Sequence, residues 1–480
     1  MSTLQQRFPD IIWYKLRDPA ESTEYKYDGF NPSTQILQKG HTRQSGRRPF
    51  DVDTVFERDV AVKLRDGTTI YTDIFRPTSS DERSHKVPAI IPWSPYGKTG
   101  RGTWGYEDLA PFRAGIPLSR TSGYEKFEAP DPAEWCGRGY AIMNMDSRGS
   151  ADSEGNIVYY GQQEAEDIYD FVDWILARGG VLRAKFIDAH VRQFAGHNYV
   201  EKIADMARYD IYRPEANDDL QLFFDHYCRG IDNGWEKTPR VRLSLLGFCG
   251  SSAKTIIERP EEAWPIPRTE EKKYYLDAAQ RRLTLSPPQQ EASASYEAHS
   301  ISDSLDLTVS FNEYTELAGH PVAKLWMSCK EKDDMDATVQ IRKIKSDGRP
   351  LKWLNYPCPV PEEEVPDTNV AKTLGPEGWL RASHSCTKEY VDGKPFYTSR
   401  RSEPIPAGTI VPLEIPIWPI GMVFEKGEGI MLRIAGHDLR LPEVEAVRLT
   451  EPEDDNVGMH VVYTGGKYDS HLVLPIISSS

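Results

Sequence analysis

At 480 residues the chain is long enough for two or three domains whose cores need no covalent staples. Its composition, 39% apolar and 27% charged, is that of a soluble globular protein, and a net charge of −15 argues against the basic footprint of a nucleic-acid binder. No run approaches the roughly 18 apolar residues of a membrane span.

Residues 1–53 open with "MSTLQQRFPDIIWYKLRDPA", which lacks the basic-then-apolar order of a secretory signal. Without sustained periodicity, they are expected to form an arm laid on the surface or partly disordered. Order is expected from about Thr54. "VAVKLRDGTTIYTDIFRP" holds two β-rich runs about Asp66-Gly67, a strong short-range hairpin signal. "VPAIIPWSPYG" is a continuous apolar run stopped by Pro95 and Gly97, as in a buried strand that feeds a loop. "GYAIMNMDSRG" repeats that design and ends in a polar turn, Asp146 to Gly149. "GQQEAEDIYDFVDWIL" then sets Ile168, Phe171, Val172 and Ile175 at i, i+3, i+4, i+7, one helical face. Hairpin, strand, loop, strand, helix is an α/β opening.

The middle of the chain reads as helical. "FIDAHVRQF" aligns Ile187, Val191 and Phe194, and "NYVEKIADMAR" begins with a capping-box-like Asn198 and Glu201. "NDDLQLFFDHYCRG" places Asn217 and two aspartates at a helix start, with Leu220, Phe223, Phe224 and Tyr227 as its buried stripe and Gly230 past its end. After Pro239 the period changes to short alternating runs such as "RVRLSLLGF", "LTVSFN", "ATVQIRKI" and "GIMLRIAGH". They predict a β-sandwich or jelly roll, its boundary placed near the Pro-rich "ERPEEAWPIPR" at about residue 259.

Six segments in order, "VKLRDGTTIYTDIFRP", "SPYGK", "GYAIMNMDSRGSADSEG", "AEDIYDFVDWI", "FFDHYCRGIDNGWEKTPRVRLSLLG" and "EEAWPIPR", resemble the Xaa-Pro dipeptidyl-peptidase and cocaine-esterase family of α/β-hydrolases, its fungal members above all. The resemblance covers about residues 55–175 and 210–480. It implies an α/β-hydrolase domain over 54–258 and a jelly-roll, galactose-binding-like β-sandwich over 259–480. It also implies cleavage of ester, amide or peptide bonds in small substrates by a Ser-His-Asp triad, with no cofactor.

The family's serine stands in a Gly-x-Ser-x-Gly-like turn that exposes its hydroxyl and aims a backbone N–H at the oxyanion. No such pentapeptide occurs in this chain. "GGVLRAKFIDAHVRQFAGHNYV" is similar to a cap segment that normally comes well after the turn, so the resemblance implies a helical cap remnant over about 181–207. "YDIYRPEANDDLQLFFDHY" is similar to sequence beyond the catalytic histidine. The hydrolase domain is therefore expected to be incomplete, with internal pieces missing near Leu176–Arg178 and Arg208 and with them the serine, acid and histidine. About 50 residues separate Trp174 from Asp225, too few for three more βα units of roughly 25 residues each. A sheet cut short in this way should be the unstable half, and its open flank could drive homo-oligomer formation.

By resemblance, Tyr96 in "SPYGK" holds the position whose phenol helps form the oxyanion hole; the alternative is a plain strand-end tyrosine. Asp146 and Arg148 are expected as a structural turn and ion pair rather than a catalytic pair. Gly247–Ser252, "GFCGSS", has the wrong spacing for a nucleophile. Asp188, His190 and His197 suggest a metal only weakly, since Gly196 interrupts the helix and no third ligand is suitably spaced. His226 is expected to be structural, and "PEEEVPD" and "EPEDD" to be solvated acidic loops without calcium spacing. The six cysteines are scattered without a C-x-x-C pair, so neither a disulfide framework nor a metal site is expected, and a reduced, cytoplasmic protein is. Three readings remain: a working hydrolase of this family, an inactive remnant whose β-sandwich binds or assembles, and a mis-spliced gene model of an active enzyme.

Overall fold

The computed structural model describes Gln6 and residues 29–81, 86–99, 106–108, 111–157, 161–177, 209, 211–368, 371–391, 393–398, 404–439 and 454–478. Its contacts divide the chain chiefly into a first unit ending at Trp235 and a second running from Glu236 to Ser480, which also takes in Ala110–Gly115. The expected helices about Ile187–Phe194 and Asn198–Met206, and with them the cap remnant, lie outside the described residues.

The first unit is built on a five-stranded sheet of β1 (Ser33–Leu37), β2 (Thr54–Lys63), β3 (Thr69–Pro77), β4 (Ala89–Ile90) and β5 (Ala141–Met145), in the order β1-β2-β3-β5-β4. The Asp66-Gly67 hairpin forms as its sequence predicts. Thr68 N–H bonds Asp66 Oδ1, and Gly67 takes φ +89°, a conformation that costs glycine little. All five residues of β5 are buried, and β4 runs parallel to β5 beside it. Among the described residues the two-residue β4 is the terminal strand of this sheet.

Three local expectations need correction. Residues 29–53 are not merely a surface arm: β1 pairs antiparallel with β2, and Leu37 and Phe50 are buried beside Phe56, Phe75 and Trp135. Four of the five β1 residues are exposed, so no apolar alternation marks the strand in the sequence. In α2 (Gln162–Ala177), which follows the short α1 (Pro132–Gly137), Phe171 and Ile175 are buried as expected, but Ile168 is exposed and Asp167 is buried in its place. A guanidinium from another loop, described below, is what draws that face inward. The helix expected to start at Asn217 begins a turn earlier as α3 (Pro214–Phe224), with proline in its first turn, and Asn217 is buried inside it. Gly230, at φ +72°, closes the π-helical turn Asp225–Arg229 that follows.

The second unit carries a thirteen-stranded, almost wholly antiparallel sheet around one apolar core. Alternate residues turn inward, for example Leu325 and Met327, Leu413 and Ile415, and Ile430, Leu432 and Ile434. The division between the units falls at Trp235/Glu236, ahead of the boundary expected at 258/259. The reason lies in the hairpin of β6 (Val241–Leu245) and β7 (Ile256–Glu261). Its Leu243 and Leu245 are fully buried with Ala318, Val423 and Ile477 of the β-rich unit, and Leu246 N–H bonds Gly421 O at 2.9 Å. No helix among the described residues is long and apolar enough to cross a membrane.

Candidate functional site

Because β4 and β5 are parallel, the loops that follow them leave the sheet at the same end, where α/β proteins bind their ligands. The loop after β4 carries Ser94, Tyr96, Gly97, Lys98 and Thr99; the loop after β5 carries Asp146 to Ser153. Tyr96 is half-buried, with its ring edge-on to Phe127 at 5.4 Å.

Lys98 is the centre of the charge arrangement. Its Nζ lies 2.8 Å from Asp59 Oδ1, 2.9 Å from Asp152 Oδ2 and 3.1 Å from Asp146 Oδ2. Asp59 reaches the cluster because β2 has a bulge between Glu57 and Val60, where Asp59 takes φ +53°. Asp73 on β3 accepts from Asp59 N–H at 2.8 Å and from the Thr99 hydroxyl. Burial pushes the Asp73 carboxyl up to about 6, opposed mainly by Lys98. Burial also raises that of Asp146, again opposed by Lys98 and then Lys126. For Lys98, burial works against the charge but the surrounding carboxylates, Asp146 first, outweigh it and hold the ammonium well above its ordinary value. Lys126 is buried nearby and donates to the backbone oxygens of Ser94 and Met145; burial brings its pKa down to about 7. Clustered perturbed groups beyond the ends of parallel strands make this the candidate site. This cluster also fixes the Tyr96 loop, since Lys98 stands two residues on and is held by carboxylates of β2 and of the β5 loop.

Asp146 and Arg148 do not pair with each other. Asp146 faces Lys98, while Arg148 makes two 2.7 Å bonds to Asp167 and one ion pair of 2.8 Å to Asp66. Arg148 thus joins the hairpin turn to α2 and is the partner that draws Asp167 inward.

The serines of this loop are held by it. Ala151–Gly155 spells small-x-Ser-x-Gly, a variant the sequence reading did not single out. Ser153 Oγ, however, donates to Asp146 O at 2.8 Å and accepts from Tyr71 N–H at 3.0 Å. Ser150 Oγ donates to Ser147 O at 2.7 Å and lies 3.3 Å from Ser147 Oγ. None of the three is bonded to an imidazole. His41 Nε2 is 2.9 Å from the Tyr124 hydroxyl, and His226 Nδ1 is 3.2 Å from Ile231 O, a bond within its own turn. The geometry supplies an anchored Tyr96 loop and, among the described residues, no nucleophile–base pair.

The remaining candidates fall elsewhere. Gly247–Ser252 belongs to a buried polar knot of the second unit: Lys343 Nζ donates to Gly247 O and Ser251 Oγ at 2.8 Å each and lies 3.0 Å from Glu428 Oε2. The Ser251 hydroxyl donates to Glu428 Oε1 at 2.8 Å, so it is a bridge within that knot. The acidic loop about Glu362 and Asp367 is not simply solvated, because Lys372 reaches both carboxylates at 2.8 Å. Asp188, His190 and His197 lie outside the described residues. A cavity of about 830 Å³, lined among others by Pro77, Val87, Arg138 and Gly139, opens beside the residues that lead into β4 and β5, the opposite end of the sheet from Tyr96.

Residues 233–473 match the model of the X-Pro dipeptidyl-peptidase C-terminal non-catalytic domain, and residues 66–206 that of the X-Pro dipeptidyl-peptidase (S15 family). In structure the chain is similar to a CocE/NonD family hydrolase from Staphylococcus aureus, with a TM-score of 0.70 at 20% identity over 97% of this chain and 99% of that one. An α-amino acid ester hydrolase aligns with a TM-score of 0.52 at 13% identity, over 88% of this chain and 97% of that one. An aminopeptidase from a Thaumarchaeota archaeon of marine sediment does so with 0.52 at 14%, over the same shares. At such identities these likenesses establish the fold. Among curated proteins, an L-tyrosine:2-oxoglutarate aminotransferase from Aspergillus ustus is 48% identical over 79 residues. That match spans 16% of this chain and 15% of the relative.

Proposed function

Because this chain belongs to the X-Pro dipeptidyl-peptidase (S15) family of hydrolases, we propose that it derives from an enzyme cleaving acyl or peptidyl bonds of small ester, amide or peptide substrates, and that the chain as it stands does not cleave them by a serine mechanism. The observation that carries the second part is the end of the sheet. A complete hydrolase sheet needs further strands, and among the described residues β4 pairs with β5 alone. The sequence has no Gly-x-Ser-x-Gly, and the serines of the β5 loop spend their hydroxyls on the loop itself. An oxyanion-side phenol without a nucleophile stabilises no tetrahedral intermediate.

A second reading, a hydrolase whose coding sequence includes the missing pieces, is favoured by the retention of the Tyr96 loop and its Lys98 anchor, which a binding module would not need. A fluorophosphonate probe on the full chain tests the proposal. No serine should be labelled; stoichiometric labelling of one serine, lost when that serine becomes alanine, would refute it. Reading the transcript across Leu176–Arg178 and Met206–Tyr209 separates the two readings, since an inserted Gly-x-Ser-x-Gly turn would restore the enzyme. Slow ester turnover alone decides nothing, because oxyanion and binding contributions survive loss of a triad.

A further inference from the structure

Three turns of the second unit bring together side chains that no catalytic reading uses. His299 follows the strand Ala292–Glu297, His437 follows Gly429–Ala435, and Asp454 leads toward Met459–Thr464. One ligand atom from each lies within 4.8 Å of the others. His437 Nδ1 is 3.3 Å from Asp454 Oδ2, and His299 Nδ1 is 3.9 Å from Asp454 Oδ1. Zinc bonded at about 2.0–2.1 Å in a tetrahedral site spaces its ligand atoms about 3.4 Å apart. The contact of His437 Nδ1 with Asp454 Oδ2 already has that length, and the three ligand atoms lie within 4.8 Å of one another. Asp454 is exposed, as expected of its acidic loop, and faces both histidines.

Two features distinguish the cluster from a chance meeting of polar groups. First, His299 Nδ1, the nitrogen that faces Asp454, is shielded from solvent and has no hydrogen-bond partner, an unfavourable state for a buried nitrogen. Second, the backbone beneath is pinned. A Cβ on Gly436 would lie 2.3 Å from Ala298 O, so only glycine lets these two turns pass close enough to set His437 beside His299. Asn456 Nδ2 donates to Gly436 O at 2.8 Å, Asn456 N–H to Asp454 Oδ1 at 3.0 Å, and Ala298 N–H to Gly458 O at 3.0 Å. Such supporting bonds orient the ligands of metal sites.

We propose that His299, His437 and Asp454 form a three-ligand site for a zinc-class divalent cation. Two imidazoles with one carboxylate suit zinc and its neighbours in the transition series, whereas calcium and magnesium require oxygen donors. The side chains of His299 and Asp454 are 34% and 51% exposed, which leaves a fourth position to water. The bound ion ties the lead into Met459–Thr464 to two other turns. The site stands in the β-rich unit, and its existence does not depend on whether the chain hydrolyses anything.

The test uses the full chain, free of any polyhistidine tag and stripped with a chelator. Zinc is titrated against a chromophoric chelator, and cobalt is followed by its visible d–d absorption. One equivalent should bind, without competition from calcium, and His437→Gln or Asp454→Asn should weaken binding on the order of tenfold or more. The double variant H299A/H437A should abolish it. Where a variant does not fold, zinc should still protect His299 and His437 of the unmodified chain from carbethoxylation, as mapped by mass spectrometry. Absence of stoichiometric uptake, uptake unchanged in the folded double variant, or no protection of the two histidines would overturn the site and leave a histidine–aspartate contact.

Discussion

Replacing Lys98 by methionine removes one ammonium and keeps the length of its buried stem. Asp59, Asp146 and Asp152 then lose their shared cation, at side-chain exposures of 1%, 0% and 15%. Removing one partner of a buried ion pair costs about 3–5 kcal/mol, because the charge left behind is desolvated and unpaired. That is a large share of the roughly 5–15 kcal/mol that holds a domain together. Native-state hydrogen exchange reads the effect where it arises. Protection of the β5 amides should fall by roughly a hundredfold to several thousandfold at pH 7, at 1.36 kcal/mol per factor of ten. Amides of the strand Asp336–Ile344 in the second unit serve as the internal control. The sign of the pH dependence is fixed by the carboxyls. The folded-state pKa of Asp73 is about 6 against 3.8 unfolded, so its contribution is fully present below pH 3.8 and lost as pH rises through 6, about 3 kcal/mol in all. Asp146 is raised in the same direction, and Lys98 opposes both shifts. Without Lys98 the carboxyls hold protons more tightly, so the penalty of the variant should shrink as pH falls from 7 toward 5. Unchanged β5 protection, an equal loss in the control strand, or a penalty that grows on acidification would refute the electrostatic account.

Leu243→Ala should destabilise the second unit by about 2–5 kcal/mol in chemical denaturation, since Leu243 is fully buried. A fragment 236–480 should accordingly melt more cooperatively and at a higher temperature than 268–480, which lacks the β6–β7 hairpin. Lys343 is brought down to about 8 by burial, against the pull of Glu428. With a folded pKa below the unfolded 10.5, its contribution to stability rises with pH between about 8 and 10.5, by about 3 kcal/mol. The midpoint of the second unit followed from pH 7.5 to 9.5 should show that rise, and Lys343→Met should abolish it while lowering stability at pH 7 by about 3–5 kcal/mol. Gly436→Ala should destabilise the same unit by about 1–3 kcal/mol in thermal or denaturant melts, because the new methyl has a carbonyl in its place.

What the sequence determined by itself is what short-range chemistry encodes. The Asp66-Gly67 turn, the mostly apolar β5, the glycine that ends the helix at 230 and the alternating strands after residue 259 each follow from a few neighbouring residues with fixed backbone preferences. The absence of a Gly-x-Ser-x-Gly spelling is legible for the same reason, since a strained strand–turn–helix is written in a few adjacent residues. The failures have one physical source as well. β1 exposes most of its residues, so its place in the sheet is set by hydrogen bonds to β2 that no hydropathy pattern records. Asp167 replaces Ile168 on the buried face of α2 because Arg148, carried on a different loop, neutralises it there. The group of Lys98, Asp59, Asp73, Asp146 and Asp152, like that of His299, His437 and Asp454, is scattered through the sequence without spacing of its own. Strand pairing, a bulge at Asp59 and the close passage at Gly436 bring these groups within a few ångströms, and only at that distance and in that burial does their charge acquire a strength that chemistry can use.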